Sequence, residues 1–265
     1  MSSNGRPLLA LEAVEKRFGA VQALGGVDFE VRAGEVVGLV GDNGAGKSTL
    51  VKVISGIYDP DAGRFFFDGE EVSISGPQAA SALGIATVYQ DLALCDNLDV
   101  VANLFLGREE LAPGPGELAR QLDETKMEHR SHALLQNLAV TIPSLRSEVG
   151  TLSGGQRQQV AVARSLLGEP KVVLLDEPTA ALGVAQTEMV LALIKRLREQ
   201  GLGVVVISHN LADVFEVTDR IVVLRLGRRA GTFETSTATQ EQVVAAITGA
   251  GGVGATNGKG SGGEQ

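Results

Sequence analysis

The sequence has no tryptophan and few other aromatic residues, which together make up 4% of its 265 positions. Surfaces that stack the bases of single-stranded nucleic acid need exposed aromatic rings, so such a surface is not expected. Cysteine occurs once, at Cys95, which excludes an internal disulfide. Basic residues are also fewer than acidic residues, which gives a formal net charge of −9 at pH 7. This balance argues against a nucleic-acid partner.

Long apolar runs are missing as well. No stretch approaches the roughly 18 residues that a membrane-spanning helix needs. The first residues, 1–6, contain no apolar signal segment. We therefore expect a chain that stays in the cytoplasm. The hydrophobic fraction of 44% and the charged fraction of 21% are those of an ordinary globular protein with a large buried core.

A glycine-rich loop lies between an apolar strand, residues 36–40, and a helix predicted over residues 48–56. Its residues, with the spacing G-x-x-x-x-G-K-[ST], are Gly41, Asp42, Asn43, Gly44, Ala45, Gly46, Lys47, Ser48 and Thr49. The glycines let the backbone curl so that successive N–H groups point at a phosphate, and the helix N-terminus adds its dipole. Lys47 supplies a charge for the β- and γ-phosphates, and the Ser48 hydroxyl is placed to bind Mg²⁺. The loop predicts a nucleoside triphosphate site.

Polar side chains follow three other apolar strands. Residues 171–176 form a strand without polar alternation, and this strand ends in Asp176 and Glu177. His209 follows the apolar residues 203–208, and Gln90 follows residues 85–89. Open α/β sheets bind their ligands at the carboxyl ends of parallel strands. The two carboxylates fit metal and water chemistry, and the histidine is a functional candidate beside a phosphate site.

Two further sites are predicted from single features. Ser153 is expected to cap a helix that runs to Leu167, and the paired glycines Gly154 and Gly155 after it allow close approach of an anion. Phe18, between strands predicted over residues 8–14 and 24–31, has two interpretations. It either packs in the core or leaves the sheet and stacks on an adenine face.

The remaining pattern predicts an α/β fold. Short strands, including residues 64–67, dominate the N-terminal part, whereas residues 91–164 are predicted to hold helices without strands. Buried strands and amphipathic helices then alternate up to Gly249. Residues 250–265 are rich in glycine and polar, and we expect a flexible tail there, as we expect disorder over residues 1–7.

In order along the chain, Phe18, the glycine-rich loop, Gln90, Leu152–Gln156, residues 172–178 and His209 resemble the ATP-binding subunit of an ABC transporter. The run Leu-Ser-Gly-Gly-Gln between the loop and Asp-Glu is specific to this superfamily. The runs 177–183 and 207–210 resemble the ATPases of bacterial ribose, xylose and fructose importers. The chain carries one cassette and no internal repeat.

The resemblance implies an α/β P-loop ATPase core with an N-terminal antiparallel β subdomain and an inserted α-helical subdomain. The ATPase domain would span residues 8–249, with core segments 8–90 and 165–249 and the helical subdomain at 91–164. Two cassettes would form a head-to-tail dimer with ATP between the glycine-rich loop of one and residues Ser153, Gly154, Gly155 and Gln156 of the other. Expected partners are transmembrane permease subunits and, indirectly, a periplasmic sugar-binding protein, at the cytoplasmic face of the inner membrane.

The resemblance also implies a role for each site residue. Phe18 would stack on adenine, and Lys47 would hold the β- and γ-phosphates. Mg²⁺ would be bound by Ser48, Gln90 and Asp176. Glu177 would be the general base for the attacking water, Gln90 would contact the metal or that water, and His209 would contact the γ-phosphate.

One stretch departs from the general family pattern. Where that pattern has Ser-Ala-Leu-Asp after the glutamate loop, this chain has Ala180–Gly183, which removes polar contacts that would cross the dimer interface. The same Ala-Ala-Leu-Gly run resembles the sugar-import branch. Two alternatives stay open beside an importer ATPase: an exporter ATPase, and an ABC-type ATPase that acts on ribosomes or DNA without a membrane partner.

Overall fold

The computed structural model describes residues 6–112 and 121–250. Its N-terminal part is a four-stranded antiparallel sheet with the order β2-β1-β4-β5. The strands are β1 (Leu9–Phe18), β2 (Val21–Val31), β4 (Ala62–Phe67) and β5 (Glu70–Val72). Alternate residues of β2 are buried, as the pattern at Val27, Phe29 and Val31 predicts.

The second sheet has six strands in the order β10-β9-β3-β8-β7-β6. Its strands are β3 (Val36–Val40), β6 (Ile85–Val88), β7 (Val172–Asp176), β8 (Gly203–Ile207), β9 (Arg220–Arg225) and β10 (Arg228–Glu234). All neighbours are parallel except β9 and β10, which form an antiparallel hairpin at one edge.

Eight α-helices lie within the described residues. They are α1 (Lys47–Ile54), α2 (Pro77–Leu83), α3 (Val100–Phe105), α4 (Glu124–Asn137), α5 (Gly154–Leu166), α6 (Val184–Glu199), α7 (Leu211–Val217) and α8 (Gln240–Thr248). Helix α8 begins with a capping box, because the Thr239 hydroxyl accepts from the Gln242 N–H and the Gln242 side chain accepts from the Thr239 N–H.

Both faces of the six-stranded sheet are covered, which explains its continuous apolar strands. Val173 and Leu175 of β7 point into a cluster with α3, α5 and α6, whereas Val172 and Leu174 point into a cluster with α1 and the antiparallel sheet. Successive residues of a strand face opposite sides, so a strand covered on both faces has no polar alternation. The predicted α/β fold class is confirmed.

Several predicted boundaries are wrong. β1 continues to Phe18 and β2 begins at Val21, so the expected loop at residues 15–23 is reduced to a tight turn at Gly19, which has φ 57°. Helix α7 was not predicted at all. The expectations for residues 1–5 and 251–265 lie outside the described residues, and the division into subdomains stays a prediction. Within the described ranges, no helix has the length and apolar character that crossing a bilayer requires.

Candidate active site

The strand order brings the predicted site residues to one edge of the six-stranded sheet. The glycine-rich loop follows β3, His209 follows β8, Glu177 follows β7 and Gln90 follows β6, and these four strands are consecutive neighbours. Parallel strands lie about 4.8 Å apart and end at the same edge. His209 therefore leaves the sheet between the strand of the glycine-rich loop and the strand of Glu177.

The glycine-rich loop requires glycine at two positions. Gly41 has φ 154°, and a Cβ there would lie 2.3 Å from the Leu224 carbonyl oxygen. Gly46 has φ 104°, and a Cβ would lie 2.8 Å from the Ala23 carbonyl oxygen. Gly46 is also the N-cap of α1 and supplies no side-chain cap. The first N–H groups of α1 are thus left for an anion, as expected for a phosphate site.

Lys47 is half-buried under this loop. Its Nζ donates to the carbonyl oxygens of Gly41 and Asp42, at 2.7 and 3.1 Å. Burial lowers the pKa of Lys47, and the nearby carboxylates of Glu177, Asp42 and Asp176 oppose this effect. The lysine therefore lies within electrostatic range of both carboxylates at the end of β7.

The two carboxylates of β7 have different surroundings. Burial raises the pKa of Asp176, and the adjacent charge of Glu177 raises it further, whereas Lys47 and Lys52 act in the opposite direction. Glu177 Oε2 instead lies 2.8 Å from His209 Nδ1. The histidine side chain is 75% exposed and the glutamate side chain 16% exposed, so this pair lies at the surface of the site.

Hard oxygen ligands for a divalent cation are available at two of the predicted positions. Ser48 is exposed in the first turn of α1, and Asp176 carries a carboxylate whose ionised form is disfavoured without a cation. Carboxylate and hydroxyl oxygens are the ligand types that Mg²⁺ takes in phosphate sites. Gln90 is exposed just beyond β6. Thr49 is half-buried in α1, Ala45 is buried, and Asn43 and Gly44 are exposed.

The core interpretation of Phe18 is wrong. Its side chain is 43% exposed, and its ring packs edge-on against Tyr58, with centroids 5.1 Å apart and planes at 71°. Tyr58 thus supports Phe18, although nothing in the sequence pattern pointed to this contact. Because Tyr58 follows α1, its position depends on the helix that also carries Lys47.

The predicted N-cap at Ser153 is present as a full capping box. The Ser153 hydroxyl accepts from the Gln156 N–H at 3.2 Å, and Gln156 Oε1 accepts from the Ser153 N–H at 3.0 Å. Ser153 is exposed, whereas Gly155 is buried against α6. A Cβ at Gly155 would lie 2.9 Å from Gln186 Cβ, so close helix packing, and not anion approach alone, requires this glycine.

The stretch that departs from the general pattern leads into α6. Gly183 is the N-cap of that helix and provides no side-chain hydrogen bond. The next residue, Val184, is 81% exposed, and Leu182 lies against Gly154. The loop after Glu177 therefore contacts the Ser153 turn of the same chain.

Comparisons with known proteins agree with this geometry. The sequence model of the family described as ABC transporter matches residues 24–180. The fructose import ATP-binding protein FrcA of Rhizobium meliloti is 47% identical over 246 residues, which cover 92% of this chain and 95% of that protein. The xylose/arabinose import ATP-binding protein XylG of Sulfolobus acidocaldarius is 48% identical over 221 residues, covering 83% and 86%.

Solved structures are similar over the same range. The ADP conformation of MJ1267, an ATP-binding cassette of an ABC transporter, superposes with a TM-score of 0.78 at 27% identity and covers 92% of this chain and 96% of its own. A dimeric post-hydrolysis state of the cassette MJ0796, bound to ADP and Pi, has a TM-score of 0.70 at 26% identity, covering 86% and 98%. This chain therefore belongs to the ABC transporter family, as an ATP-binding cassette with ATPase activity.

Proposed function

We propose that this chain is the ATP-hydrolysing, energy-coupling subunit of an ABC importer for a monosaccharide. The catalytic part of this proposal is supported by one observation. Lys47, Asp176 and the Glu177–His209 pair lie close together at one edge of the sheet. The import and sugar parts are supported by relatives that are named as import ATP-binding proteins for fructose and for xylose/arabinose.

ATP binding is assigned to the glycine-rich loop and to Phe18. The free N–H groups at the start of α1 would accept the phosphates, and Lys47 would move from the Gly41 and Asp42 carbonyls to the β- and γ-phosphates. The exposed ring of Phe18, supported by Tyr58, would stack on the adenine.

A Mg²⁺ ion would be held by Ser48, Asp176 and Gln90. The raised pKa of Asp176 supports this assignment, because a carboxylate that is buried beside a second carboxylate gains from a cation. When bound, the ion neutralises charge on the phosphates.

Hydrolysis is assigned to Glu177 as the general base. Its carboxylate would accept the proton of the attacking water, and His209 would orient that carboxylate through the 2.8 Å contact and reach the γ-phosphate from its exposed position. A positioned base typically contributes about 10²–10⁴-fold to the rate. Lys47 would stabilise the negative charge on the transferring phosphoryl group.

The second ATPase subunit would complete the site. Ser153 and the N–H groups of the first turn of α5 would face the glycine-rich loop of the partner across ATP, and Gln156 would hold that turn through the capping box. The solved dimer of the cassette MJ0796 with ADP and Pi supports dimerisation of such cassettes. Opening and closing of the dimer would drive transmembrane permease subunits at the cytoplasmic face of the membrane, with a periplasmic sugar-binding protein acting on the opposite side.

Purification from membranes tests the proposal. We expect a tagged chain to co-purify with permease subunits, and the reconstituted complex with its binding protein to show ATPase activity that one of a panel of monosaccharides stimulates. A Lys47→Ala chain should still co-purify but should not hydrolyse ATP. Recovery of ribosomes or DNA in place of permeases would contradict the membrane role, and stimulation by an exported compound would favour an exporter.

A further inference from the structure

We propose that Thr179 and Asp213 form a positioning pair that holds the Glu177 loop against the helix that follows His209. The inference rests on the proposed function, in which Glu177 accepts a proton from water. Neither Thr179 nor Asp213 would touch ATP in this assignment. Their effect would be to fix the angle between the general base and the histidine that orients it.

The pair is a short hydrogen bond in a protected position. Thr179 Oγ1 donates to Asp213 Oδ2 at 2.6 Å, and Asp213 is only 9% exposed. Thr179 lies two residues after Glu177, and Asp213 lies four residues after His209, in the first turn of α7. The bond therefore joins the segments that leave neighbouring strands β7 and β8, one step beyond the two functional side chains.

The Glu177 loop has a backbone that needs an external constraint. Glu177 has φ 50° and Ala181 has φ 59°, and the left-handed region is unfavourable for residues other than glycine. At the start of the loop, the Glu177 N–H donates to the Ile207 carbonyl oxygen at 2.9 Å. The hydrogen bond from Thr179 to Asp213 adds a second connection between the loop and the segment formed by β8 and α7. This second bond limits rotation of the loop about the bond from Glu177 to Ile207.

His209 is in turn placed by α7. Its side chain is 75% exposed, so packing around the ring contributes little to its orientation. Asn210 caps α7, because its side chain accepts from the Ala212 N–H at 3.1 Å. The side chains of Val214 and Val217 are buried in the core and hold the helix in place. The hydrogen bond between Asp213 and Thr179 thus fixes the position of His209 and α7 relative to the loop that carries Glu177.

A mainly structural role would be filled better by apolar side chains. A buried carboxylate loses hydration, and a single hydroxyl partner recovers only part of that free energy. Hydrogen bonds, unlike apolar contacts, are directional and fix distance and angle. The pair therefore favours a defined geometry over stability, which is the property that a general base requires, since a displacement of about 1 Å can cost roughly 100-fold in rate.

The main test is Thr179→Val, which removes the donor and keeps the shape of the side chain. We expect kcat for ATP hydrolysis to fall about 10- to 100-fold, while KM for ATP stays close to wild type. The midpoint of thermal unfolding should fall by roughly a few degrees, because the buried Asp213 carboxylate loses its donor, and kcat is therefore measured well below that midpoint. Thr179→Ser restores the hydroxyl and should recover most of kcat. Thr235→Val is the matched control, because it removes the 2.9 Å bond to Thr218 in a different part of the fold and should leave kcat unchanged.

A double-mutant cycle completes the test. Asp213→Ala should lower kcat to a similar extent, and the double variant with Thr179→Val should be no slower than the slower single variant, because both remove one bond. The inference would be overturned if the two single reductions in kcat multiplied in the double variant. It would also be overturned if Thr179→Val folded and kept kcat within twofold of wild type. If Thr179→Val fails to fold, unchanged kcat in Asp213→Ala overturns it. Failure of the proposed function is distinguished by Glu177→Gln, which would then retain full turnover.

Discussion

Asp176 and Lys47 are both held where their charged forms are disfavoured. Burial lowers the pKa of Lys47 and raises the pKa of Asp176, and the charge of Glu177 adds to the second effect. Two such groups at one sheet edge are typical of a site whose compensating charges come with the ligand. The triphosphate would stabilise the charged form of Lys47, and the metal ion would stabilise the charged form of Asp176.

This electrostatic state predicts that Asp176→Asn stabilises the nucleotide-free protein. The folded-state pKa of Asp176 lies above its unfolded value, so its favourable contribution is complete below the unfolded pKa and is lost as the pH rises through the folded pKa. The ionised side chain therefore destabilises the fold at pH 7–8. Thermal unfolding at pH 7.5 should show a midpoint higher by on the order of a few degrees.

The pH dependence provides the control for this prediction. The difference in midpoint between Asp176→Asn and wild type should shrink as the pH falls through the folded-state pKa of Asp176, since protonation of the carboxyl group removes the difference in charge. The exposed Asp59, changed to Asn, should show no such gain at pH 7.5. A midpoint that falls for Asp176→Asn at pH 7.5 would show that ionised Asp176 stabilises the fold.

At the scale of secondary structure elements, the contact between α5 and α6 links the Ser153 turn to the loop that begins at Glu177, and in the proposed head-to-tail dimer these two features would belong to different ATP sites. Gly155 and Gly154 lie against the start of α6 and the loop before it, through Gln186 and Leu182. The same loop begins at Glu177. A change in the spacing of these helices would therefore move the Ser153 turn together with Glu177, the proposed general base.

We predict that Gly155→Ala destabilises the protein by about 1–3 kcal/mol, despite the higher helix propensity of alanine. The new Cβ would lie 2.9 Å from Gln186 Cβ and 3.2 Å from its Cα, so α6 itself must shift. Chemical denaturation measures this loss. Gly154→Ala is the matched control, because its Cβ meets the mobile end of Leu182 at 3.0 Å and should change stability by less than about 0.5 kcal/mol. Equal losses in both variants would contradict the packing argument.

At the scale of the whole molecule, the Ser153 turn and the glycine-rich loop form two halves of the proposed nucleotide site, one contributed by each subunit. Both are helix starts whose first N–H groups lack partners within their helices. A head-to-tail dimer would place one of each around every ATP. In the proposed dimer, the absence of a side chain at Gly183, where the general family pattern has aspartate, would remove one polar contact between the subunits.

Glu177→Gln should accumulate this dimer. The glutamine cannot accept a proton, so turnover should fall by roughly 10²–10⁴-fold while ATP binding persists. Light scattering during gel filtration should give the mass of two chains with saturating Mg²⁺ and ATP and of one chain without nucleotide. Adding Lys47→Ala should abolish the shift. A Glu177→Gln chain that stays monomeric with saturating Mg²⁺ and ATP would contradict the head-to-tail dimer.

Much of this protein was determined by local sequence. The glycine-rich loop, the caps at Ser153 and Thr239, and the apolar strands before Glu177 and His209 each depend on residues near one another in the chain. Conformational limits of glycine, short-range hydrogen bonds and runs of buried residues act over a few positions. These features were sufficient to predict the fold class and the family.

Only the tertiary structure decided how these features meet. The length of β1 depends on pairing with β2, in which Phe18 pairs with Val21, and this extension leaves the Phe18 ring exposed against Tyr58. The Glu177–His209 and Thr179–Asp213 contacts exist because β7 and β8 are neighbours in the sheet, although more than 30 residues separate the partners. Strand order is set by the crossover helices and the shared core, and neither is encoded in the residues of a single motif.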